Sequence, residues 1–181
     1  PYHINIILYF LIIFISLLFR KYYNVALIIL ILSLFSNFLN PAEEANIYAF
    51  STWDLLWGRN IGGIGSTSII LGILISIILI FTNNYKYLVV IGGLLSFIIM
   101  SIIFKDYNYL TNGNAILTIL FVASIPNKSP VVKKYMFIYG LLIGIIGFIL
   151  MKFLSPYYGM VLSTTILSII YEKILAKKID I

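Results

Sequence analysis

The chain is a succession of long apolar runs joined by short polar connections. The runs are Asn5–Phe19, Val25–Leu39, Ile69–Phe81, Leu88–Phe104, Ala115–Ile125, Met136–Leu154 and Met160–Leu175. Most approach the roughly 20 residues that cross about 30 Å of hydrocarbon. Ala115–Ile125 is the shortest, with the length of a re-entrant or broken half-helix. In lipid every backbone N–H and C=O must be satisfied within the protein, which leaves helices or closed barrels. A barrel strand alternates apolar and polar residues, whereas these runs are apolar all round. The pattern predicts an all-α integral membrane protein of six to seven transmembrane helices. It forms a single membrane domain over 1–181: two N-terminal spans in 1–39, a long loop at 40–66, and the remaining helical spans in 67–181.

Composition agrees with this pattern. Only 10% of the residues are charged and 62% are hydrophobic, too little charge to clothe a water-soluble globule, which carries about 25%. The chain has no cysteine, which removes disulfides, thiolate metal sites and iron–sulfur ligation within it. His3 is the one histidine, so neither a histidine metal centre nor a Ser-His-Asp triad is available. The first run has no basic residues before it and no small-residue cleavage site after it, and is expected to be a span rather than a signal peptide.

Charge sets the expected orientation, because basic residues concentrate in cytoplasmic loops. With seven spans and the N-terminus outside, nine basic residues fall inside: Arg20, Lys21, Lys86, Lys128, Lys133, Lys134, Lys173, Lys177 and Lys178. Three fall outside, Arg59, Lys105 and Lys152. This places the protein in the cell membrane with its C-terminus in the cytoplasm. If the fifth segment dipped in without crossing, Lys128–Lys134 would lie outside, so the charge bias favours a full crossing. The net charge of +6 is accounted for by these loops and by anionic inner-leaflet lipids. No basic stripe suited to nucleic acid exists elsewhere.

The long polar connection, Asn40 to Ser66, carries Glu43, Glu44, Asp54 and Arg59, with Trp53 and Trp57 spaced as one helical turn. Tryptophan is enriched at the headgroup level, so an amphipathic segment at the membrane surface explains the pair. The connection runs into Gly58-Arg59-Asn60-Ile61-Gly62-Gly63-Ile64-Gly65-Ser66-Thr67-Ser68. Glycines and hydroxyls opening a helix suit an anion, through free N–H groups and the helix dipole. They equally serve close helix packing and capping.

These motifs resemble the family of RnfD and NqrB, membrane subunits of the ion-pumping Rnf and Nqr electron-transport complexes. Gly62-Gly63-Ile64-Gly65-Ser66-Thr67-Ser68 is similar to the family's Gly-Ser-Ile/Phe-Gly-Glu-Thr-Ser, with Ser66 for the glutamate. Ala123-Ser124-Ile125-Pro126-Asn127-Lys128-Ser129-Pro130 resembles Ala-Thr-Asp-Pro-x-x-Ser-Pro, with Ile125 for the aspartate. Tyr139-Gly140-Leu141-Leu142-Ile143-Gly144 looks like Tyr/Phe-Gly-x-x-x-Gly, and Pro156-Tyr157-Tyr158-Gly159-Met160 like Tyr-Pro-Glu-Gly-Val without its glutamate. Order and spacing agree from about Asn46 onward.

The resemblance implies a subunit of an ion-translocating oxidoreductase, part of a repeat-built helical bundle, with flavin (FMN) held near the outer face. The family attaches FMN through a phosphoester to the threonine of Ser-Gly-Ala-Thr; in register stands Ala49-Phe50-Ser51-Thr52, with bulky Phe50 for the glycine. Covalent FMN at Thr52, or riboflavin or FMN held without a bond, is the implied cofactor. The implied cofactor-binding set is Ser51, Thr52, Gly62, Gly65, Thr67, Ser68, Ser124, Asn127 and Ser129. Family members have roughly ten helices in two repeats, and this chain matches the later part plus two preceding spans; the remainder is implied to lie upstream of Pro1, in a separate short subunit, or in a second copy, beside membrane and peripheral redox subunits. The family's carboxylates near helix ends are replaced by Ser66, Ile125 and Tyr158. Ions crossing this chain would have to use hydroxyls and carbonyls, for instance at Ser124, Asn127, Ser129, Thr164 and Thr165; otherwise partners carry them. Two rival classes share the composition: a vitamin-binding subunit of an energy-coupling-factor transporter, and a channel-like solute transporter. Against the first, Tyr9–Phe19 has no small residue but Ser16 for docking a transport module.

Overall fold

The computed structural model describes residues 26–31, 51–58, 68–82, 85–125 and 129–172. Among them are helices and turns and no strand. The first predicted span, most of the second, and the tail beyond Glu172 lie outside the described residues; within the second, residues 26–31 are helical with Ala26 and Leu30 buried.

The helices are α1 (Thr52–Trp57), α2 (Ile69–Ile80), α3 (Tyr87–Ile103), α4 (Gly113–Leu117), α5 (Lys133–Phe153) and α6 (Gly159–Ile170). Helices α2 to α6 fall on the apolar runs of the sequence. A 3-10 turn, Tyr107–Thr111, precedes α4, and α4 widens into a π turn over Thr118–Val122. There the Thr118 hydroxyl donates to the Asn114 carbonyl and the Ala123 N–H reaches back five residues to the Thr118 carbonyl at 3.0 Å. Of these helices α5, with 21 residues, is long and apolar enough to cross a membrane by itself; the others are shorter.

Helices α3 and α5 run parallel. From one end to the other, Val89 meets Gly140, Gly93 meets Gly144, Phe97 meets Phe148, and Asp106 pairs with Lys152 at 2.6 Å. The approach is close because glycines face each other. A methyl group on Gly92 would fall 2.6 Å from the Phe137 carbonyl oxygen, and one on Gly144 would strike Ser96 Oγ and the Gly93 carbonyl. Small residues permit this backbone contact, which gives van der Waals attraction where lipid supplies no hydrophobic drive between helices.

Because α3 and α5 are parallel, the chain between them must return along their whole length. It does so through α4 and its π turn. The Asn112 side chain donates to the Pro156 carbonyl beyond the C-terminus of α5, at 2.9 Å. The other end of the segment meets the start of α3, where the Tyr85 hydroxyl donates to the Leu120 carbonyl at 2.9 Å. Midway, Ile119 packs against Gly93. The short fifth segment thus runs from the Asp106 end of the α3–α5 pair to the Lys86 end. Helix α6 returns antiparallel to α5, with Gly159 on Met151, Ser163 Oγ donating to the Ile143 carbonyl at 3.3 Å, and Tyr171 beside Tyr139. Helix α2 runs alongside α4, with Gly72 against Leu117. The core holds Phe97, Ile119, Ile143, Phe148, Met151 and Met160.

Candidate functional site

The sequence-derived site residues that are described fall into two sets at opposite ends of the bundle. Gly62, Gly65, Thr67 and Asn127 lie outside the described residues.

At the Asp106 end sits α1. Ser51 starts it: its Oγ accepts the Asp54 N–H at 3.2 Å and donates to the Asp54 carboxylate at 2.6 Å. The Ser51 side chain thereby caps the helix, satisfying one of the free N–H groups at its start. Gly58 follows the helix at φ 83, a left-handed conformation that favours glycine and turns the chain away. Leu56 packs on the core cluster of Ile69, Val90, Ile116 and Leu120, and α1 touches the Tyr107–Thr111 turn. Thr52 opens the helix with its side chain exposed, and Trp53 and Trp57 are exposed as well. Ser68 caps α2, its Oγ accepting the Leu71 N–H at 3.3 Å.

At the Lys86 end, Ala123, Ser124, Ser129 and Pro130 of the Ala123–Pro130 motif are buried, and both serines are tied into the fold. Ser124 Oγ donates to the Leu120 carbonyl at 2.8 Å, and Ser129 Oγ to the Ile125 carbonyl at 2.8 Å. The Lys86 ammonium, buried beneath the loop, donates to the Ser129 carbonyl. Tyr85 lies next to it, and burial raises its phenol above the ordinary tyrosine value, opposed by the hydroxyls of Ser76 and Ser124. Lys86, counted among the basic loop residues, is instead buried, and with half-buried Tyr85 it forms a clasp between the α2–α3 connection and the end of the π turn. A pattern of apolar runs carries no information on how a loop side chain folds back, so this pair was not legible.

The hydroxyls weighed as ion ligands on α6 are interior. Thr164 and Thr165 are 1% and 3% exposed, and both donate to the Val161 carbonyl at 2.8 Å. Among the described residues no group of His, Cys, Asp or Glu is placed to hold a metal ion.

Thr52 and Ser51 are therefore separated from Ser124 and Ser129 by the length of the bundle, and the two sets do not line one pocket. For FMN, the exposed Thr52 hydroxyl has the access that phosphoester attachment requires. The buried Ser124 and Ser129 do not.

A search of curated proteins gave no match to this chain. A protein-family model does match, over residues 25–176, which takes in every described helix. The chain belongs to the NQR2, RnfD, RnfE family, the membrane subunits of Rnf- and Nqr-type electron-transport complexes.

Proposed function

We propose that this chain is a multi-pass subunit of an Rnf- or Nqr-like ion-translocating oxidoreductase that holds FMN on Thr52 near the outer membrane face. The exposure of Thr52 at the Asp106 end carries this reading. Charge supports which end is outer. The Lys86 end bears Lys86, Lys133 and Lys134, whereas the Asp106 end bears Lys105 and a Lys152 that is neutralised by Asp106. Under the rule that basic loops remain cytoplasmic, the Lys86 end is inner. Thr52 then faces out, with the N-terminus of the chain outside and its C-terminus inside.

Bound there, FMN would accept electrons and pass them to a partner subunit. The chain's own residues present the hydroxyl: Ser51 and Asp54 fix the first turn of α1, and Leu56 fastens it to the bundle. Coupled Na⁺ or H⁺ is assigned to partner subunits. An ion in a membrane needs ligands or charge partners, and Thr164, Thr165 and Ser124 are held in local hydrogen bonds within a packed core. The partners are other membrane and peripheral subunits of the complex.

The test is flavin fluorescence of the denatured chain in a gel under ultraviolet light. A fluorescent band that disappears in Thr52→Val is expected. A band that persists in the variant, or a dark band from cells that possess the flavin transferase, would overturn attachment at Thr52.

A further inference from the structure

We infer that α1 is an interfacial anchor: Trp53 and Trp57 insert into the lipid headgroup boundary at the outer face and hold this helix flat on the membrane surface. Three observations fix its height. First, the water boundary is marked by the Asp106–Lys152 ion pair, and just below it Phe104, Phe153 and Leu154 are 40%, 76% and 59% exposed. Lys152 itself straddles the boundary, its ammonium 4.7 Å from the centre of the Phe104 ring while bound to Asp106. A lysine that lays its stem on apolar surface and keeps its head at the polar edge behaves in this way at interfaces. Second, α1 packs against the Tyr107–Thr111 turn, the residues directly after Asp106, so it sits at that same level.

Third, the helix leaves its tryptophans uncovered. Leu56 packs on the bundle, while Trp53 and Trp57, four residues apart and on one face, are 68% and 57% exposed. Two large indoles held out at the level where an apolar belt meets charge fit lipid headgroups, which take an apolar ring and a polar N–H together. The belt continues on α2, where Leu71 and Leu74 are more than half exposed. A bilayer covers that surface, and α1 adjoins its rim. One consequence rests on the flavin proposal: an isoalloxazine tethered to Thr52 would be kept at the membrane surface. The seating of the helix does not depend on it.

The measurement is unusually clean because the chain contains two tryptophans and both are in α1. The full chain, expressed without a flavin transferase, is placed in phosphatidylcholine vesicles. An interfacial helix buries its apolar face about 5–10 Å into the headgroup and upper acyl region. Lipids brominated high on the acyl chain should therefore quench the blue-shifted emission at least about twofold, and more than lipids brominated near the chain end. Trp53→Phe and Trp57→Phe should each leave one indole that is quenched in the same way. Quenching by aqueous iodide without bromolipid quenching would overturn the inference. So would blue emission that neither quencher touches, which means a protein cover, or quenching of only one of the two indoles. If the flavin proposal fails, the gel band is dark while bromolipid quenching persists.

Discussion

At the scale of single residues, the glycines of α3 and α5 are the most demanding positions. A side chain on Gly144 would meet Ser96 Oγ, the Gly93 carbonyl and the Phe97 N–H, and two of these are backbone that cannot turn aside. Overpacking a tight interior costs typically 1–3 kcal/mol. Gly144→Val should therefore destabilise the protein by about 3 kcal/mol or more, read as a lowered melting temperature in detergent. Thr52→Val, at an exposed position, should leave that temperature unchanged. The clasp at the Lys86 end makes a graded prediction. Tyr85→Phe removes one hydrogen bond to the Leu120 carbonyl and should cost about 1 kcal/mol. Lys86→Met removes a charged donor and strands the Ser129 carbonyl, costing about 2 kcal/mol. Equal melting temperatures for these two variants and the parent would show that the clasp does not form.

At the scale of elements, the apolar runs located α2, α3, α5 and the start of α6 to within a few residues, because a lipid-facing helix must be apolar for its whole length. The tryptophan spacing likewise marked the α1 turn. The charge bias, by favouring a full crossing of the fifth segment, already implied that α3 and α5 run in one direction. Their register was not legible, because it depends on glycines at matching heights, which sequence spacing shows on each helix separately. Their parallel course makes the α4 segment run the length of the bundle, so the residues before and after it lie at opposite ends of the α3–α5 pair. The absence of cysteine allows single-cysteine labelling. Tyr107→Cys, exposed at the Asp106 end, should react with an impermeant maleimide from outside whole cells. Val131→Cys, exposed before α5 at the Lys86 end, should react only after the membrane is opened. Reaction of both from outside would mean that α4 dips in and returns.

At the scale of the whole molecule, the candidate site was legible only in part. The Ser51–Thr52 pair and the Ser124–Ser129 motif could be picked out from their resemblance to the family. That they occupy opposite ends is a tertiary fact, and it assigns them different work: Thr52 is open to attachment, while the serines secure a buried end of a helix. The buried hydroxyls of the described core are taken up in local hydrogen bonds, and a family subunit of this kind is proposed to work through its neighbours. The central claim is accordingly one of company, and isolation of the tagged chain from gently solubilised native membranes tests it most directly. Redox subunits carrying flavin or iron–sulfur centres should co-purify in constant ratio, and an electron donor should bleach their visible absorbance. An ATP-hydrolysing transport module in their place would contradict the assignment and make the chain a solute-binding subunit instead.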